Sequence, residues 1–582
     1  MKKPEDVSPK PSVKRTLLSA LRGLFRLRAD KSSTRLIVLG LGFVGVFGVI
    51  AGRVAQLAAT APETTGSISR SAAADISAAR PDIVDRNGEL LATDVKVFSV
   101  FAEPRKIIDK DEAVELLTAV MPDLNARELR ERMNQRRGFI WVKREITPRQ
   151  QAETHRLGIP GIGFLPENKR VYPNGPAAAH VLGFANVDNV GIAGIEKHID
   201  TLGLQDLNGA GFALSARDMN PIRLSVDLRV QHALRDELAK GLEKFRAKAA
   251  SAAIMDVNSG EVIALVSLPD YDPNNPADAL QPDKINRINV GVFEMGSTFK
   301  ALTTAMALDS GKFNLNSMID SRAGTLRYGG RAIHDYNGGK NRALSIPEIF
   351  IYSSNIGSAK LALGIGVDGH KEFLRKAGQL ERLITELPEN ARPIVPSRWS
   401  EVNTATIGFG HGLAVAPLQA LSAVAALTNG GVLLPPTFLK RSAEEAKALG
   451  SRLVKPETSE AMRYLLRLNA EMGSATRANV PGFYVGGKTG TAEKVIGGRY
   501  SKNKNLATFM AVVPADKPRY LFLTILDEPQ AINGAATGGL TSAPVTGRMI
   551  ERIGPMLGVE PRFEPPRQPF PGLARYQLKI QQ

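Results

Sequence analysis

The chain contains no cysteine. That excludes a disulfide framework, a zinc–thiolate site and a cysteine nucleophile. It fits an oxidising compartment entered without a disulfide programme. Histidine is scarce, seven in 582 residues, and the seven are scattered. Internal repeats are absent, and no motif calls for a metal or a cofactor. Acidic residues number 58 against 75 basic ones, leaving +17 and a pI near 9.8. Such an imbalance attracts an anionic partner, either nucleic acid or a membrane surface. With 43% apolar and 23% charged residues, large parts of the chain can bury a core, so a wholly disordered or fibrous chain is excluded. The length allows about three or four domains.

The positive charge is concentrated. Residues 1–35 hold ten Lys/Arg and three acids, a net 10 − 3 = +7. An uncharged apolar run, LIVLGLGFVGVFGVIAG, follows at residues 36–52. Continued through residue 59 it reaches the roughly 20 residues a spanning helix needs, with Arg53 near one end where it can snorkel. Two other readings of the run are weaker. A cleaved signal peptide has a shorter apolar region, although Ala58-Ala59-Thr60-Ala61 mimics a cleavage site. A buried core helix should show a polar face, and this run has none. We therefore expect an uncleaved anchor at 36–58, a cytoplasmic basic tail at 1–35, and export of everything beyond. The basic tail then faces anionic lipid, and nucleic acid is not expected as a partner.

Residues 60–79 read as an Ala/Ser/Thr-rich linker. Asp85-Arg86-Asn87-Gly88 signals a tight turn in a hairpin. Residues 110–155 read as helical, and 59–220 as one irregular domain of strands and short helices. A new pattern begins near 222. Val230, Ala233, Leu234, Leu238 and Leu242 share a helical face. Residues 252–256 and 262–268 flank an Asn258-Ser259-Gly260 turn, and 507–513 and 520–526 read as adjacent antiparallel strands. Helices thus lie between early and late strands, which predicts an α+β domain at 221–560 with one central antiparallel sheet. The Pro-rich tail, 561–582, reads as extended or disordered.

Three short elements carry chemistry. In Ser297-Thr298-Phe299-Lys300 an apolar helical run overlaps and follows the motif, so Ser297 Oγ and Lys300 Nζ can meet at i, i+3. A serine hydroxyl needs a base to be a nucleophile. Lysine serves only if burial or a nearby cation lowers its pKa. S-x-x-K alone is weak. Ser501-Lys502-Asn503-Lys504 also matches and reads as a solvated loop. Ser353-Ser354-Asn355 is the second element, although Ser and Asn also favour caps and turns. The third is Lys488-Thr489-Gly490-Thr491, on a glycine-flanked strand. We read no phosphate-binding loop in it, taking the G-x-x-x-x-G-K-[ST] spacing to be absent, an expectation corrected below.

The order S-x-x-K, S-x-N, K-T-G is far more specific than any one element. The chain resembles the class B penicillin-binding proteins, most closely the septal D,D-transpeptidases of the FtsI type. The resemblance also runs through DRNGELLA (85–92), RVYPNGPAAAHVLGFANVDNVGIAGIEK (170–197), DVNSGEVIALVSLPDYDPN (256–274), FEMGSTFK (293–300), YSSNIGSAK (352–360), GFGHGLAVAPLQ (408–419) and GGKTGTAEK (486–494). Met295 stands where many relatives have Pro, and Pro81 where Gly is usual. Neither touches a reacting group.

The resemblance implies a penicillin-binding transpeptidase fold on a pedestal of the dimerisation type. It implies that Ser297 attacks the D-Ala-D-Ala carbonyl of a peptidoglycan stem peptide to form an acyl-enzyme, and that Lys300 takes its proton. Ser353 relays a proton to the leaving D-Ala, Lys488 balances charge, and Asn355 holds the donor amide. Lys488, Thr489 and Thr491, with Gly490 between, receive the terminal carboxylate. The N–H groups of Ser297 and Thr491 form an oxyanion hole. An amine from a second stem resolves the ester. β-Lactams would acylate the same serine, and an FtsW-type glycosyltransferase and other divisome membrane proteins would be partners at the inner-membrane septum. Like charge should depress Lys300 beside Lys488.

Rival readings are an elongation-type transpeptidase, an inactive membrane-tethered penicillin sensor or scaffold, and a β-lactamase. The last would use Glu386 in Glu386-Leu387-Pro388-Glu389-Asn390. Glu389 stands there where class A β-lactamases have Leu, and we read an ordinary loop. His411 reads as a loop residue near the cleft rather than a base.

Overall fold

The computed structural model describes residues 31–59, 79–135, 137–204, 219–322, 324–496, 499–532, 534–564 and 566–573. Most of the basic tail (1–30), the linker at 60–78 and the last residues, 574–582, lie outside the described residues. The chain divides into two units, residues 1–74 and 75–582.

The first unit contributes one helix, α1 (Lys31–Ala59), of 29 residues. It contains the whole uncharged run. Side chains are described for residues 39–53, where Leu41, Phe43, Val44, Phe47 and Val49 are each at least 60% exposed. Those fifteen residues rise about 22 Å. Among the described residues no helix is long and apolar enough to cross a membrane.

The second unit begins with a pedestal. β1 (Ile83–Val84) and β2 (Leu90–Ala102) pair antiparallel around the expected turn, where Asp85 Oδ1 accepts from the N–H groups of Asn87 and Glu89. β2 then runs outward beneath α2 (Lys110–Val120) and α3 (Ala126–Asn134), each capped by the residue before it, Asp109 and Asn125. The helical reading of 110–155 fails in the middle. Residues 140–146 form β3 (Ile140–Ile146), which pairs with β2. IWVKREI carries β-branched and aromatic residues at alternating buried positions, and pairing with a distant strand overrides the charge spacing that suggested helix. α4 (Pro148–Arg156) follows with a Thr147–Gln150 capping box, and β4 (Ile162–Val171) closes the sheet on the other side of β2.

A buried ion cluster ties the pedestal's segments together. Arg80 and Arg170 both pair with Glu196, at 2.8 and 2.7 Å, on α5 (Gly194–Ile199); Arg170 also reaches Asp94, and Arg80 reaches Asp200. Arg80 and Glu196 are fully buried. β5 (Ile222–Arg223) lies parallel to β1 and leads into the large domain.

There α6 (Leu228–Lys244), capped by Asp227, precedes β6 (Ala249–Asp256) and β7 (Val262–Leu268). The sheet is completed only near the end of the chain, by β8 (Gly486–Ile496), β9 (Arg499–Val513) and β10 (Tyr520–Asp527). Its order is β8-β9-β10-β6-β7, antiparallel throughout. The expected early-plus-late sheet is thus observed. Alternate residues feed opposite cores. Phe509, Ala511 and Phe522 pack with α6 and α12 (Ser542–Ile553), while Met510, Val512, Leu521 and Leu523 pack with the helices from the middle of the chain. β10 is therefore buried on both faces along its whole length, and it is apolar except at Thr524 and Asp527.

Two expectations need correction. Residues 501–504 belong to strand β9 rather than a loop. The described residues of the Pro-rich tail, 561–564 and 566–573, run without helix or strand until a short 3-10 turn at Pro571–Leu573 and pack against the domain rather than being disordered. Arg562 pairs with Asp516, Phe570 stacks edge-on against Tyr464, and Leu573 is buried. Apolar residues spaced between the prolines find a groove that local sequence does not reveal.

Candidate active site

The serine sits at the start of a buried helix. A 3-10 turn, Gly296–Phe299, runs into α7 (Lys300–Asp309). Gly296 has φ +54, and a Cβ there would lie 2.8 Å from the Thr491 carbonyl oxygen, so glycine lets the turn abut β8. Leu302, Thr303, Ala305 and Met306 are buried, which fixes the helix and leaves Ser297 half-exposed at its mouth.

The second motif is a corner between two helices. α8 (Ile346–Ile351) starts at a Ser345–Glu348 capping box, and α9 (Asn355–Ile365) is capped by Ser354, whose Oγ accepts from Gly357 N. Ser353 between them has φ +54, a conformation that costs of order 1 kcal/mol or more for a non-glycine residue. Asp335 holds the corner from a separate loop, accepting from Ser354 Oγ at 2.7 Å and Ile356 N at 3.0 Å. The strained residue turns its carbonyl and its hydroxyl toward Lys300.

Both lysines converge there. Lys300 Nζ lies 2.5 Å from Ser353 O, 2.7 Å from Asn355 Oδ1 and 3.1 Å from Ser353 Oγ. Lys488 Nζ lies 2.9 Å from the same Oγ and 3.2 Å from Thr489 O, and sits over the Phe350 ring. Each lysine is 1% exposed. Burial holds Lys300 well below the usual lysine pKa, with Lys488 adding to the shift. Like charge is thus the smaller cause, not the leading one. Burial brings Lys488 down to about 7. Ser353 O and Asn355 Oδ1 can only accept, so Lys300 Nζ donates to both, and the Ser353 hydroxyl is the one partner in the corner able to exchange a proton with it.

Ser297 Oγ and Lys300 Nζ, which the i, i+3 spacing allows to meet, are not hydrogen-bonded to each other. Among the described residues Ser297 Oγ takes part in no hydrogen bond, because the Lys300 amine is fully engaged at the Ser353 corner. The side chain of Asn355 is also engaged at both ends, with Nδ2 donating to His334 O.

The third motif lies on the edge strand β8, which pairs with β9 on one side only. Asn469 and Ser474, at and after the end of α11 (Pro456–Met472), support it. Asn469 Nδ2 donates to Gly487 O, its Oδ1 accepts from Ser474 N, and Ser474 Oγ lies 2.6 Å from Thr489 Oγ1. Thr491 Oγ1 accepts from Gly538 N at 3.0 Å. Gly490 is wedged between Met295 and Thr508. All eight sequence-picked residues therefore gather between α7, the 353 corner and β8. Asp335, Asn469, Ser474 and Gly538 were missed. They lie outside the motifs, and only tertiary folding brings them in.

Spacing does not separate this segment from a phosphate-binding loop, since residues 482–489 satisfy G-x-x-x-x-G-K-[ST]. The fold does: Lys488 is on a strand that continues to 496, with no helix N-terminus behind it to receive phosphate. Glu386 is bound to Thr437 Oγ1 and Phe438 N, and Glu389 accepts from Gly194 N of the pedestal; neither bonds to a site residue. His411 lies beside the cleft. Burial, then Lys300, brings its imidazole down to about 4, so it is neutral at pH 7. Among the described residues no group of His, Asp and Glu is placed to hold a metal. A cavity of about 210 Å³ lined by Lys244, Arg477 and Leu540 contains none of the site residues.

Comparison with known proteins accords with this geometry. Residues 250–551 match the penicillin binding protein transpeptidase domain family, and residues 75–202 the penicillin-binding protein dimerisation domain family. The probable peptidoglycan D,D-transpeptidase FtsI of Caulobacter vibrioides is 38% identical over 502 residues, covering 84% of this chain and 83% of that protein. The peptidoglycan D,D-transpeptidase FtsI of Escherichia coli K12 is 31% identical over 556 residues, covering 90% and 91%. A peptidoglycan synthetase structure from Bifidobacterium adolescentis superposes with a TM-score of 0.66 at 22% identity, over 85% of this chain and 98% of that one, a likeness of fold. A buried two-lysine, one-serine corner facing a second serine, on this fold and with these relatives, places the chain in the class B penicillin-binding proteins of the FtsI type.

Proposed function

We propose that the chain is a septal peptidoglycan D,D-transpeptidase that cross-links stem peptides through an acyl-enzyme on Ser297 and is acylated by β-lactams at the same atom. The observation that carries the reading is the convergence of two buried, pKa-depressed lysines on Ser353 beside a half-exposed serine. A lysine whose pKa burial has lowered is a better base near neutral pH than an ordinary surface lysine.

In the first half-reaction the Ser297 Oγ–H bond breaks, its proton passing to the Lys300 amine, and Oγ bonds to the carbonyl carbon between the terminal D-Ala residues. The oxyanion falls between the backbone N–H groups of Ser297 and Thr491, an interaction worth about 3–4 kcal/mol in comparable sites. The C–N bond then breaks, and the leaving amine takes a proton through the Ser353 hydroxyl, which touches both lysines. Lys488, Thr489 and Thr491 receive the terminal carboxylate, and Asn355 the donor amide once it exchanges its present partners. In the second half-reaction an amine from a neighbouring stem attacks the ester, gives up a proton, and Ser297 regains its own. The product is an amide cross-link.

The domain division at 59–220 and 221–560 belongs to the same reading, as does an anchor at 36–58 with the N-terminus cytoplasmic and the catalytic domain periplasmic. The uncharged run, the exposed apolar side chains of α1 and the +7 tail support that topology. Partnership with an FtsW-type glycosyltransferase and other divisome membrane proteins at the septum belongs to the same reading. The test is covalent labelling of the full chain by fluorescent penicillin, lost in Ser297→Ala. A wild type that fails to label would sink the reading, and rapid turnover of the drug would favour a hydrolase instead. A fluorescent fusion that spreads along the lateral wall would exclude the septal assignment.

A further inference from the structure

Glu294 lies three residues before Ser297 and belongs to none of the three motifs. Its Oε1 accepts two hydrogen bonds, from Gly412 N at 2.8 Å and from Tyr500 OH at 3.0 Å. Its Oε2 is buried without a partner. These bonds join three separate segments. The first is the nucleophile turn itself. The second is the 408–412 loop, whose Gly410 (φ +98) leaves no room for a side chain against Gly296 O, and which continues into a two-way backbone pairing of Val415 with Phe293. The third is the β8–β9 hairpin. The register of that hairpin shifts between Glu493 and Lys494, so the part beyond the shift is not held in line with the Lys488–Thr491 edge by ladder continuity alone. Lys494 ties it to Asp527 and Glu528, and Tyr500 ties it to Glu294 beside the cleft.

We propose that Glu294 is a positioning residue, a latch whose single oxygen holds the β8–β9 hairpin and the 408–412 loop together against the turn that presents Ser297. The inference rests on the transpeptidase reading and deepens it. Burial raises the Glu294 carboxyl above the usual range. Burial and the neighbouring Glu294 push the Tyr500 phenol up to about 12, so Tyr500 keeps the proton it donates. The charged and titratable groups facing the pair are Arg331 and Glu493 near Tyr500, His411 with its ring 5.9 Å from that of Tyr500, and Lys300 beyond it. The latch touches no reacting atom. It acts by fixing the backbone on either side of the serine, and small displacements there cost rate rather than affinity.

The experiment separates limiting acylation rate from half-saturating concentration, with fluorescent penicillin and the full-length chain. Glu294→Ala is expected to lower the limiting rate about tenfold or more while the half-saturating concentration moves less than about threefold. Glu294→Gln keeps an acceptor oxygen and is expected to stay within about threefold of wild type. Tyr500→Phe, which removes only the hydroxyl of a side chain 44% exposed and is expected to leave folding intact, is expected to lose about threefold to tenfold. Hydrogen exchange over residues 494–505 should quicken in Glu294→Ala and Tyr500→Phe but not in Glu294→Gln. The proposal is overturned if Glu294→Ala acylates like wild type, if Glu294→Gln is as impaired as Glu294→Ala, or if Tyr500→Phe is unaffected in both readouts. Should Glu294→Ala not fold, the other two variants decide. Wild type that does not label at all would overturn the transpeptidase reading instead.

Discussion

At the scale of single residues, the account turns on two amines whose pKa burial lowers. Lys488 falls to about 7 in the folded chain from about 10.4 unfolded. The unfolded chain therefore holds more protons than the folded one between those values, and stability rises with pH across that window. Each unit of such a shift is worth about 1.4 kcal/mol, so the window spans several kcal/mol. Lys488→Met should flatten the rise in Tm between pH 7 and 10 while abolishing acylation. Unchanged pH dependence in that variant would mean the amine is not buried as described. Acylation by the wild type should fall as the solution is acidified, because a protonated Lys300 cannot accept the serine's proton. The motif residues were legible because each motif is local: S-x-x-K on one helix face, S-x-N at a helix corner, K-T-G on a strand. That Lys300 is not hydrogen-bonded to Ser297 has a cause local spacing cannot supply. Helical proximity at i, i+3 says the two groups can meet, but the acceptors at 353 and 355, more than fifty residues on, take the amine.

At the scale of elements, the β8 edge depends on a side chain that no motif contains. Asn469 is fully buried and bridges Gly487 O and Ser474 N. Asn469→Ala leaves that buried carbonyl and amide unpaired, at a cost of about 1–3 kcal/mol. It should lower both Tm and the acylation rate; a full-rate Asn469→Ala would show that β8 is held by β9 alone. The tail makes a second prediction. Leu573 packs into the core beside α11, so Leu573→Ala should cost about 2 kcal/mol or more, read as a lower Tm, and a fully mobile tail would show no change. Strands with a strong alternating or fully apolar pattern, β6, β7, β9 and β10, were legible in sequence. β3 was not, because its Lys143 and Arg144 resemble the charge spacing of the helices on either side. Its identity as a strand comes from pairing with β2, some forty residues earlier.

At the scale of the whole molecule, the pedestal and the large domain share one apolar cluster, and polar contacts are added to it. Asn274 exchanges hydrogen bonds with both backbone groups of Tyr172, and Glu389 caps Gly194. The pedestal's ion cluster is closed to solvent. Glu196→Ala would leave Arg80 and Arg170 buried without their shared carboxylate, a loss on the order of 3–5 kcal/mol. Purified Glu196→Ala should melt far below wild type, whereas an unchanged Tm would mean the arginines find other partners. The central claim is more direct. Full-length protein incubated with a penicillin and analysed by intact mass and peptide mapping should gain one adduct, on the peptide that contains Ser297, and Ser297→Ala should gain none. An adduct on a different residue, or one that survives the Ser297→Ala change, would contradict the account.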